Sequence, residues 1–317
     1  MLTRYLVVFG PLLAIGATAC VPALPDNVKT DGAPQRSIVL ELPDAVLSRE
    51  EGLDDALWLE VTRASGTGTV GGYLSQNDHP RQGIVILLHG ASTLSPTGSV
   101  GATRVFHETF GTAYREAGCR TLSLDYQECG TAYGQGDVDD LVEMIDWLER
   151  TGKAALGLQG TYAIGYSAGG TTVMIAARRR AIDAAGSIAG LSEPRQLEDL
   201  WSFYRFLGSI YPSNEGFCQL ATTLATYGPP GSPGWEAIDT VGRIRELQTP
   251  LIAFHGTKDQ IFYASNTENL QRAWETAVSE GIALPELQVV YLDGQDHFQP
   301  EVDSGITRLT LDFFERH

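Results

Sequence analysis

The sequence predicts an α/β protein with a mostly parallel central sheet and helices on both faces of that sheet. Short apolar runs of strand length alternate along the chain with segments of helical periodicity. One run, residues 84–88, is continuously apolar, as expected for a central strand that is covered on both faces. A length of 317 residues, 43% of them hydrophobic, is enough for one large domain with a buried core.

The first nineteen residues have the pattern of a secretory signal peptide. Arg4 precedes an apolar run that ends near Ile15, and small residues follow it up to Cys20. Residues 17–20 resemble the lipobox of bacterial lipoproteins, although Ala17 stands where leucine is usual. Cys20 is therefore the predicted lipidation site, and an ordinary signal peptide is the alternative. We expect an exported protein of the cell envelope that contacts a membrane only through this anchor.

The segment after the signal predicts a tether over residues 20–50, because it carries four prolines and little periodicity. The folded domain is predicted to begin at residue 51 and to extend to residue 317. Residues 57–61 and 69–74 then predict two short antiparallel strands that are separated by a turn-rich segment.

The parallel part of the sheet is predicted from the remaining strand-like runs. They are residues 84–88, 121–125, 161–165, 184–189, 251–254 and 289–292. About sixty residues separate the run at 184–189, the sixth in predicted order, from the next one, which is more than a crossover needs. We therefore expect a cap insertion at about residues 192–245.

Residues 165–169, Gly-Tyr-Ser-Ala-Gly, match the pattern G-x-S-x-G. The match lies between a predicted strand and a predicted helix, where a sharp turn leaves the serine hydroxyl projecting into a cleft. Small residues suit such a turn because neighbouring backbones approach closely. A chance glycine-rich turn is the alternative, since the chain has 35 glycines. Ser167 is the candidate nucleophile.

From about residue 57 to residue 314 the chain resembles the α/β-hydrolase fold family, in particular its esterase and dienelactone-hydrolase-like branches. In that family the serine is followed by an acid after a late strand. Residues 251–259, Leu-Ile-Ala-Phe-His-Gly-Thr-Lys-Asp, resemble this strand and its turn. The resemblance implies that Asp259 is the acid.

The family's histidine follows the last strand. Residues 289–298, Val-Val-Tyr-Leu-Asp-Gly-Gln-Asp-His-Phe, resemble that segment, which implies that His297 is the base. Asp293 and Asp296 are rival acids, but either one would have to share a short loop with the base. His255 is expected to order its own turn.

Residues 89–92, His-Gly-Ala-Ser, resemble the family's oxyanion loop, in which backbone N–H groups meet the developing negative charge. The resemblance implies the amide of Ala91, with Ser92 as the alternative, together with the amide of Ala168. Loss of one such donor typically slows a reaction about 10²- to 10³-fold. His89 itself is expected to be structural.

Aromatic side chains are concentrated in the first half of the predicted cap. Trp201 and Tyr204, together with Tyr166 beside the serine, are the candidate substrate contacts, because an aromatic surface facing the cleft would favour an apolar acyl group. The equal alternative is that the cap aromatics seal the insertion onto the core.

Three cysteines remain beyond Cys20. Cys119 and Cys129 bracket a predicted strand, and about 3.3 Å per residue holds them too far apart to bond to each other. A disulfide between Cys129 and Cys218 is predicted, and three free thiols are the alternative.

Charge and motifs exclude other classes of protein. The 39 acidic and 22 basic residues give a net charge of −17, which repels a nucleic-acid backbone. The sequence contains no H-E-x-x-H, no C-x-x-C, no P-loop and no early G-x-G-x-x-G. We expect no metal, no cofactor and no nucleic-acid partner.

The sequence therefore predicts a serine hydrolase that cleaves small-molecule carboxylic esters through Ser167, His297, Asp259 and an acyl-enzyme intermediate. Two alternatives stay open. A serine peptidase of the prolyl-oligopeptidase-like type shares these residues but typically carries a large propeller domain. A cell-envelope binding protein on a hydrolase scaffold would have lost catalysis.

Overall fold

A computed structural model describes residues 36–76, 79, 81–91, 98–126, 132–195, 215–229, 231–298 and 304–317. All of them belong to one unit, Gln35–His317. In these ranges no helix combines the length and the apolar character that a membrane span requires. The predicted signal peptide and Cys20 lie outside the described residues and stay predictions.

The described strands form one ten-stranded sheet with the spatial order β1-β2-β3-β4-β6-β5-β7-β8-β9-β10. The pairs from β1 to β4, and the pair of β4 with β6, are antiparallel, whereas every pair from β6 to β10 is parallel. The strand bounds are β1 Arg36–Leu42, β2 Ala45–Glu50, β3 Ala56–Thr62, β4 Thr69–Ser75, β5 Gly83–Leu88, β6 Arg120–Leu124, β7 Gly160–Tyr166, β8 Ala184–Ile188, β9 Leu251–Gly256 and β10 Leu287–Leu292.

The prediction of a tether over residues 20–50 is wrong for residues 36–50, which form β1 and β2. Pro43 does not interrupt a strand, because it lies in the turn between the two. Ala45 and Leu47 of β2 are buried in the core. Two additional strands therefore precede those that the sequence predicts, and the predicted cap follows β8, the eighth strand along the chain.

Helices connect the parallel strands. Their bounds are α1 Gly98–Glu108, α2 Phe110–Glu116, α3 Gly136–Trp147, α4 Lys153–Leu156, α5 Ala168–Arg179, α6 Glu215–Tyr227, α7 Ser265–Ser279 and α8 Ser304–Phe314. A π-helical turn, Leu148–Gly152, joins α3 to α4, and 3₁₀ turns span Pro233–Ile238 and Ile244–Glu246.

Strand β5 shows how the core is divided between the two faces of the sheet. Ile84, Ile86 and Leu88 point into a cluster that includes residues of α3 and α5. Val85 and Leu87 point the other way, towards aromatic residues of α1 and α2. All five side chains are buried, and complete burial of one such side chain stabilises the fold by about 1.5–3 kcal/mol. The prediction of a mostly parallel sheet with helices on both faces is confirmed.

The connection from β8 to β9 contains α6 and the two 3₁₀ turns. Residues 196–214 of this connection, with Trp201 and Tyr204, lie outside the described residues, so the cap and these two substrate contacts stay predictions. The Cys129–Cys218 disulfide also stays a prediction, because Cys129 and the side chain of Cys218 are not described. Cys119 is a buried free thiol, and burial raises its pKa to about 11.

Candidate active site

The candidate catalytic residues lie at the carboxyl ends of neighbouring parallel strands. Strand pairing places the ends of β7, β8, β9 and β10 along one edge of the sheet. Ser167 directly follows β7, Asp259 lies in the turn after β9, and His297 lies in the loop after β10. Residues far apart in sequence are thereby brought together at one edge.

Ser167 forms the sharp turn between β7 and α5. Its backbone angles are φ 53° and ψ −113°, a conformation that costs a residue with a side chain about 1–3 kcal/mol. The surroundings hold this conformation, since the Ser167 N–H donates to the carbonyl of Ile188 at 2.8 Å. The strained turn projects the serine side chain at the N-terminus of α5.

Gly169 shows why small residues are required beside the serine. Its N–H donates to the carbonyl oxygen of His89 at 3.1 Å. A Cβ atom at this position would lie 2.6 Å from the same oxygen, closer than real side chains allow. Glycine therefore lets the first turn of α5 contact the loop after β5.

The three candidate side chains form a continuous chain of hydrogen bonds. His297 Nε2 lies 2.9 Å from Ser167 Oγ, and His297 Nδ1 lies 2.7 Å from Asp259 Oδ2. The Asp259 side chain is fully buried, and that of His297 is 5% exposed. Asp259 therefore orients the imidazole, and the other nitrogen of the ring faces the serine hydroxyl.

Asp259 is held as a carboxylate by several N–H groups. Its Oδ1 accepts hydrogen bonds from the backbone N–H groups of Ile261 and Phe262, at 2.8 and 2.9 Å. Burial alone would raise the pKa of Asp259, but hydrogen bonds from His255 and His297 and their electrostatic attraction outweigh burial and lower this pKa to about 2. The acid is therefore ionised throughout the pH range in which a histidine base works.

The rival acids have other partners. Asp293 Oδ1 accepts a hydrogen bond from the Thr257 hydroxyl at 3.3 Å, and Asp296 Oδ1 accepts one from the N–H of Phe298 at 3.0 Å. Nδ1 of His297 meets Asp259 instead. The geometry thus favours Asp259 among the three candidate acids.

Aromatic rings surround His297. Those of Phe262 and Phe298 stand edge-on to the imidazole, each at 5.4 Å between ring centroids. Tyr166 is buried, and its hydroxyl donates to the backbone carbonyl of His297 at 2.8 Å. The structure thus gives Tyr166 a role in supporting the histidine loop, while its contact with substrate stays a prediction.

The loop after β5 lies against the serine. A Cβ atom placed on Gly90 would lie 3.5 Å from the Ser167 Cβ. Ala91 follows as an exposed residue, and Ala168 begins α5. The two amides predicted as oxyanion donors therefore belong to segments that flank the nucleophile, and Ser92 lies outside the described residues.

His89 supports this loop from inside. The imidazole is buried beside the ring of Tyr126, with 4.6 Å between centroids, and its Nδ1 lies 2.5 Å from the carbonyl oxygen of Gly90. Burial lowers the pKa of His89 to about 4, so it is neutral at physiological pH. Tyr126 donates a hydrogen bond from its hydroxyl to the carbonyl of His89.

The sequence predicts that His255 orders its own turn but not that it contacts Asp259, and it indicates no role for Thr267 or Tyr133. His255 lies 3.3 Å from Asp259 Oδ2, and Thr267 is hydrogen-bonded to His255. Tyr133 donates from its hydroxyl to the Ala168 carbonyl at 2.8 Å. The only signal for His255 was its position at the end of a strand, and none pointed to the other two.

In the part of the chain that the structure describes, no three His, Cys, Asp or Glu side chains group in a way that could hold a metal ion.

Comparison with solved structures finds esterases and peptidases. An esterase of the bacterial hormone-sensitive lipase family is 19% identical, with a TM-score of 0.56, and the match covers 83% of this chain and 85% of that one. A truncated carbohydrate esterase from gut microbiota is 14% identical, with a TM-score of 0.59 and coverages of 81% and 94%. No family model matches the sequence, and neither does any curated protein.

An acylaminoacyl peptidase from Pyrococcus horikoshii is 12% identical, with a TM-score of 0.56. The match covers 89% of this chain but only 48% of the peptidase, so the chain spans about half of the peptidase's length. At 12–19% identity, these structures share their fold with this chain but no close sequence relationship. On this likeness and on its own sheet topology, the chain has the α/β-hydrolase fold.

Proposed function

We propose that the protein is a serine hydrolase that cleaves carboxylic esters. The observation that carries the proposal is the hydrogen-bonded chain from Ser167 through His297 to Asp259, at the carboxyl edge of the parallel sheet. A serine alcohol is a weak nucleophile unless a base removes its proton, and an ionised acid holds that base in the required tautomer. All three groups are present within hydrogen-bonding distance.

In the proposed reaction, Ser167 Oγ attacks the acyl carbon while His297 Nε2 takes the hydroxyl proton. The proton is then given to the leaving alcohol, and the acyl group stays on the serine as an ester. A water molecule loses its proton to His297 and attacks this ester. The bond from the acyl carbon to Ser167 Oγ then breaks, His297 returns the proton to Oγ, and the carboxylic acid is released. Asp259 stabilises the imidazolium that forms in each half of the reaction.

The negative oxygen of the tetrahedral intermediates needs donors that are already in place. The Ala168 N–H lies at the N-terminus of α5, where the helix dipole favours negative charge. The loop that carries Ala91 is fixed to the same turn, because the His89 carbonyl accepts the N–H of Gly169. We assign the oxyanion hole to the amides of Ala91 and Ala168 on this basis.

An ester is preferred to a peptide as the substrate class. Two of the solved structures with the same fold are esterases, one of the bacterial hormone-sensitive lipase family and one a carbohydrate esterase. The exposed Phe298 beside the histidine also offers an apolar surface to an acyl or alcohol group. A peptidase remains the second candidate, because the same three side chains serve both reactions.

The test measures turnover of p-nitrophenyl esters of graded chain length and of aminoacyl p-nitroanilides. We expect ester cleavage that Ser167→Ala lowers about 10⁴- to 10⁶-fold, with the folded state unchanged by circular dichroism. Ser279→Ala, at an exposed serine of α7, is the matched control and should keep wild-type activity.

Cleavage of the anilides alone would replace the ester proposal with the peptidase. Silence on both substrates, together with no labelling by a serine-directed phosphonate, would overturn hydrolysis and leave a binding protein on this fold. Activity in Ser167→Ala equal to wild type would contradict the assignment of the nucleophile.

A further inference from the structure

Asp259 contacts two histidines through the same carboxylate oxygen. Its Oδ2 lies 2.7 Å from His297 Nδ1 and 3.3 Å from His255 Nε2. The side chain of His255 is fully buried. The reaction described above uses only His297, so the second histidine requires an explanation of its own.

The hydrogen bonds of His255 determine which of its nitrogens carries the proton. Nε2 lies 2.5 Å from the backbone carbonyl oxygen of Phe262, which can only accept, so Nε2 carries hydrogen. In the neutral ring, Nδ1 then has a lone pair, and it lies 2.7 Å from the Thr267 hydroxyl, which donates to it. The Phe262 carbonyl therefore fixes the tautomer in which the N–H of His255 faces Phe262 and Asp259, and the Thr267 hydroxyl supports that tautomer by donating to Nδ1.

We propose that His255 and Thr267 are positioning residues. They weaken the electrostatic attraction between the Asp259 carboxylate and the proton of His297. An N–H beside Oδ2 takes up part of the negative charge of the carboxylate, so less of that charge stabilises the imidazolium. His297 then gives its proton to the leaving group more readily, and the reaction rate is maintained to lower pH. The inference deepens the proposed hydrolase function and rests on it.

The titratable groups around Asp259 and His297 belong to β7, to β9 and to the loop after β10. His255 faces Asp259 from β9, and His297 faces it from the loop after β10. Tyr166, at the end of β7, faces His297 through the hydrogen bond from its hydroxyl to the carbonyl. The donor on His255 is therefore the group whose removal changes Asp259 most directly without touching the base or the nucleophile.

The experiment measures kcat/KM against pH for wild type, His255→Leu, His255→Gln, Thr267→Val and Thr267→Ser. Leucine removes the donor, whereas glutamine keeps an N–H at the position of Nε2. Valine removes the hydroxyl at nearly constant volume, and serine keeps it. Circular dichroism and titration with a serine-directed phosphonate give the folded and active fraction of each variant.

We expect the acidic limb of the profile to move to higher pH in His255→Leu, by about half a unit to one unit, because the more negative Asp259 keeps His297 protonated longer. Thr267→Val should move it in the same direction by less. His255→Gln and Thr267→Ser should keep the limb at its wild-type position. A purely structural role would lower the whole profile in proportion to the active fraction and leave the limb in place.

An unshifted limb in Thr267→Val and in the folded fraction of His255→Leu would overturn the inference, as would a shift to lower pH. Should His255→Leu not fold, the Thr267 pair decides alone. Wild-type protein without Ser167-dependent turnover would contradict the proposed function itself, so failure of the two proposals can be told apart.

Discussion

In the turn between β7 and α5, one residue has a strained backbone and another allows a close contact. Ser167 has a positive φ although it carries a side chain, and Gly169 is the residue that lets the turn contact His89. The strained conformation persists because backbone hydrogen bonds on both sides hold it. At this scale, the exposure of the nucleophile follows from backbone geometry and not from the serine itself.

Asp137 is a second buried carboxyl group, in the first turn of α3. Burial raises its pKa from 3.8 to about 6, although Thr172 donates a hydrogen bond to it at 2.9 Å. The folded state thus binds this proton more tightly than the unfolded chain does. Its contribution to stability is present in full below about pH 3.8 and is lost as the pH rises towards 6.

We therefore expect Asp137→Asn to gain stability relative to wild type as the pH rises from 4 to 7, because asparagine does not ionise. The measurement is the difference in melting temperature between the two proteins at each pH, which cancels the titration of all other groups. Asp139→Asn, at an exposed residue paired with Arg179, is the control. A difference that stays constant over this range would contradict a raised pKa for Asp137.

The three central residues of the candidate site could be predicted because each follows a strand within a short local pattern. The structure brings Ser167, Asp259 and His297 together as that pattern requires. His255 and Thr267 could not be assigned in this way, since their contacts depend on how α7 packs beside the turn after β9. Local sequence patterns therefore identify the three candidate catalytic residues. The side chains that support them are identified only by the tertiary packing.

Among the helices, α6 is the described helix of the long connection between β8 and β9. Its Thr223 hydroxyl accepts the N–H of Tyr133 at 2.7 Å, and its Tyr227 hydroxyl donates to the Tyr133 carbonyl at 2.5 Å. Tyr133 in turn donates to the carbonyl of Ala168, which follows Ser167 at the start of α5. One tyrosine thus links α6 to the first residue of α5.

Tyr227→Phe should lower the free energy of unfolding by about 1–3 kcal/mol, because it leaves the buried carbonyl of Tyr133 without this donor. Chemical denaturation monitored by circular dichroism measures the change. Tyr291→Phe, at an exposed tyrosine of β10, is the matched control and should change stability by less than about 0.5 kcal/mol. Equal stability of Tyr227→Phe and wild type would show that α6 is held by other contacts.

Strands β1 and β2 show where the sequence pattern fails. Ile38, Val39 and Leu40 are consecutive apolar residues, yet all three are exposed on the edge strand. A run without alternation, beside several prolines, does not reveal which residues face a core. What defines these strands is pairing, since β2 lies between β1 and β3 with an antiparallel register on each side.

At the scale of the whole molecule, a buried acid connects strands of the antiparallel part of the sheet to helix α1. Glu50, the last residue of β2, is 4% exposed and accepts a hydrogen bond from the Tyr73 hydroxyl of β4 at 3.0 Å. It also lies 3.3 Å from Arg36 of β1 and 3.4 Å from Arg104 of α1. A single carboxylate therefore contacts three elements, and its loss would leave Tyr73 without this acceptor.

Truncation tests whether the folded unit begins at residue 36 or at residue 51. A chain of residues 51–317 should be less stable than a chain of residues 36–317 by at least about 3 kcal/mol. It loses the buried Leu47 and Ala45, leaves β3 unpaired on one side, and removes the acceptor of Tyr73. Thermal unfolding by circular dichroism measures the difference. If the shorter chain melts at the same temperature and its Ser167 reacts with phosphonate at the same rate, then β1 and β2 contribute nothing to the fold and the boundary at residue 51 stands.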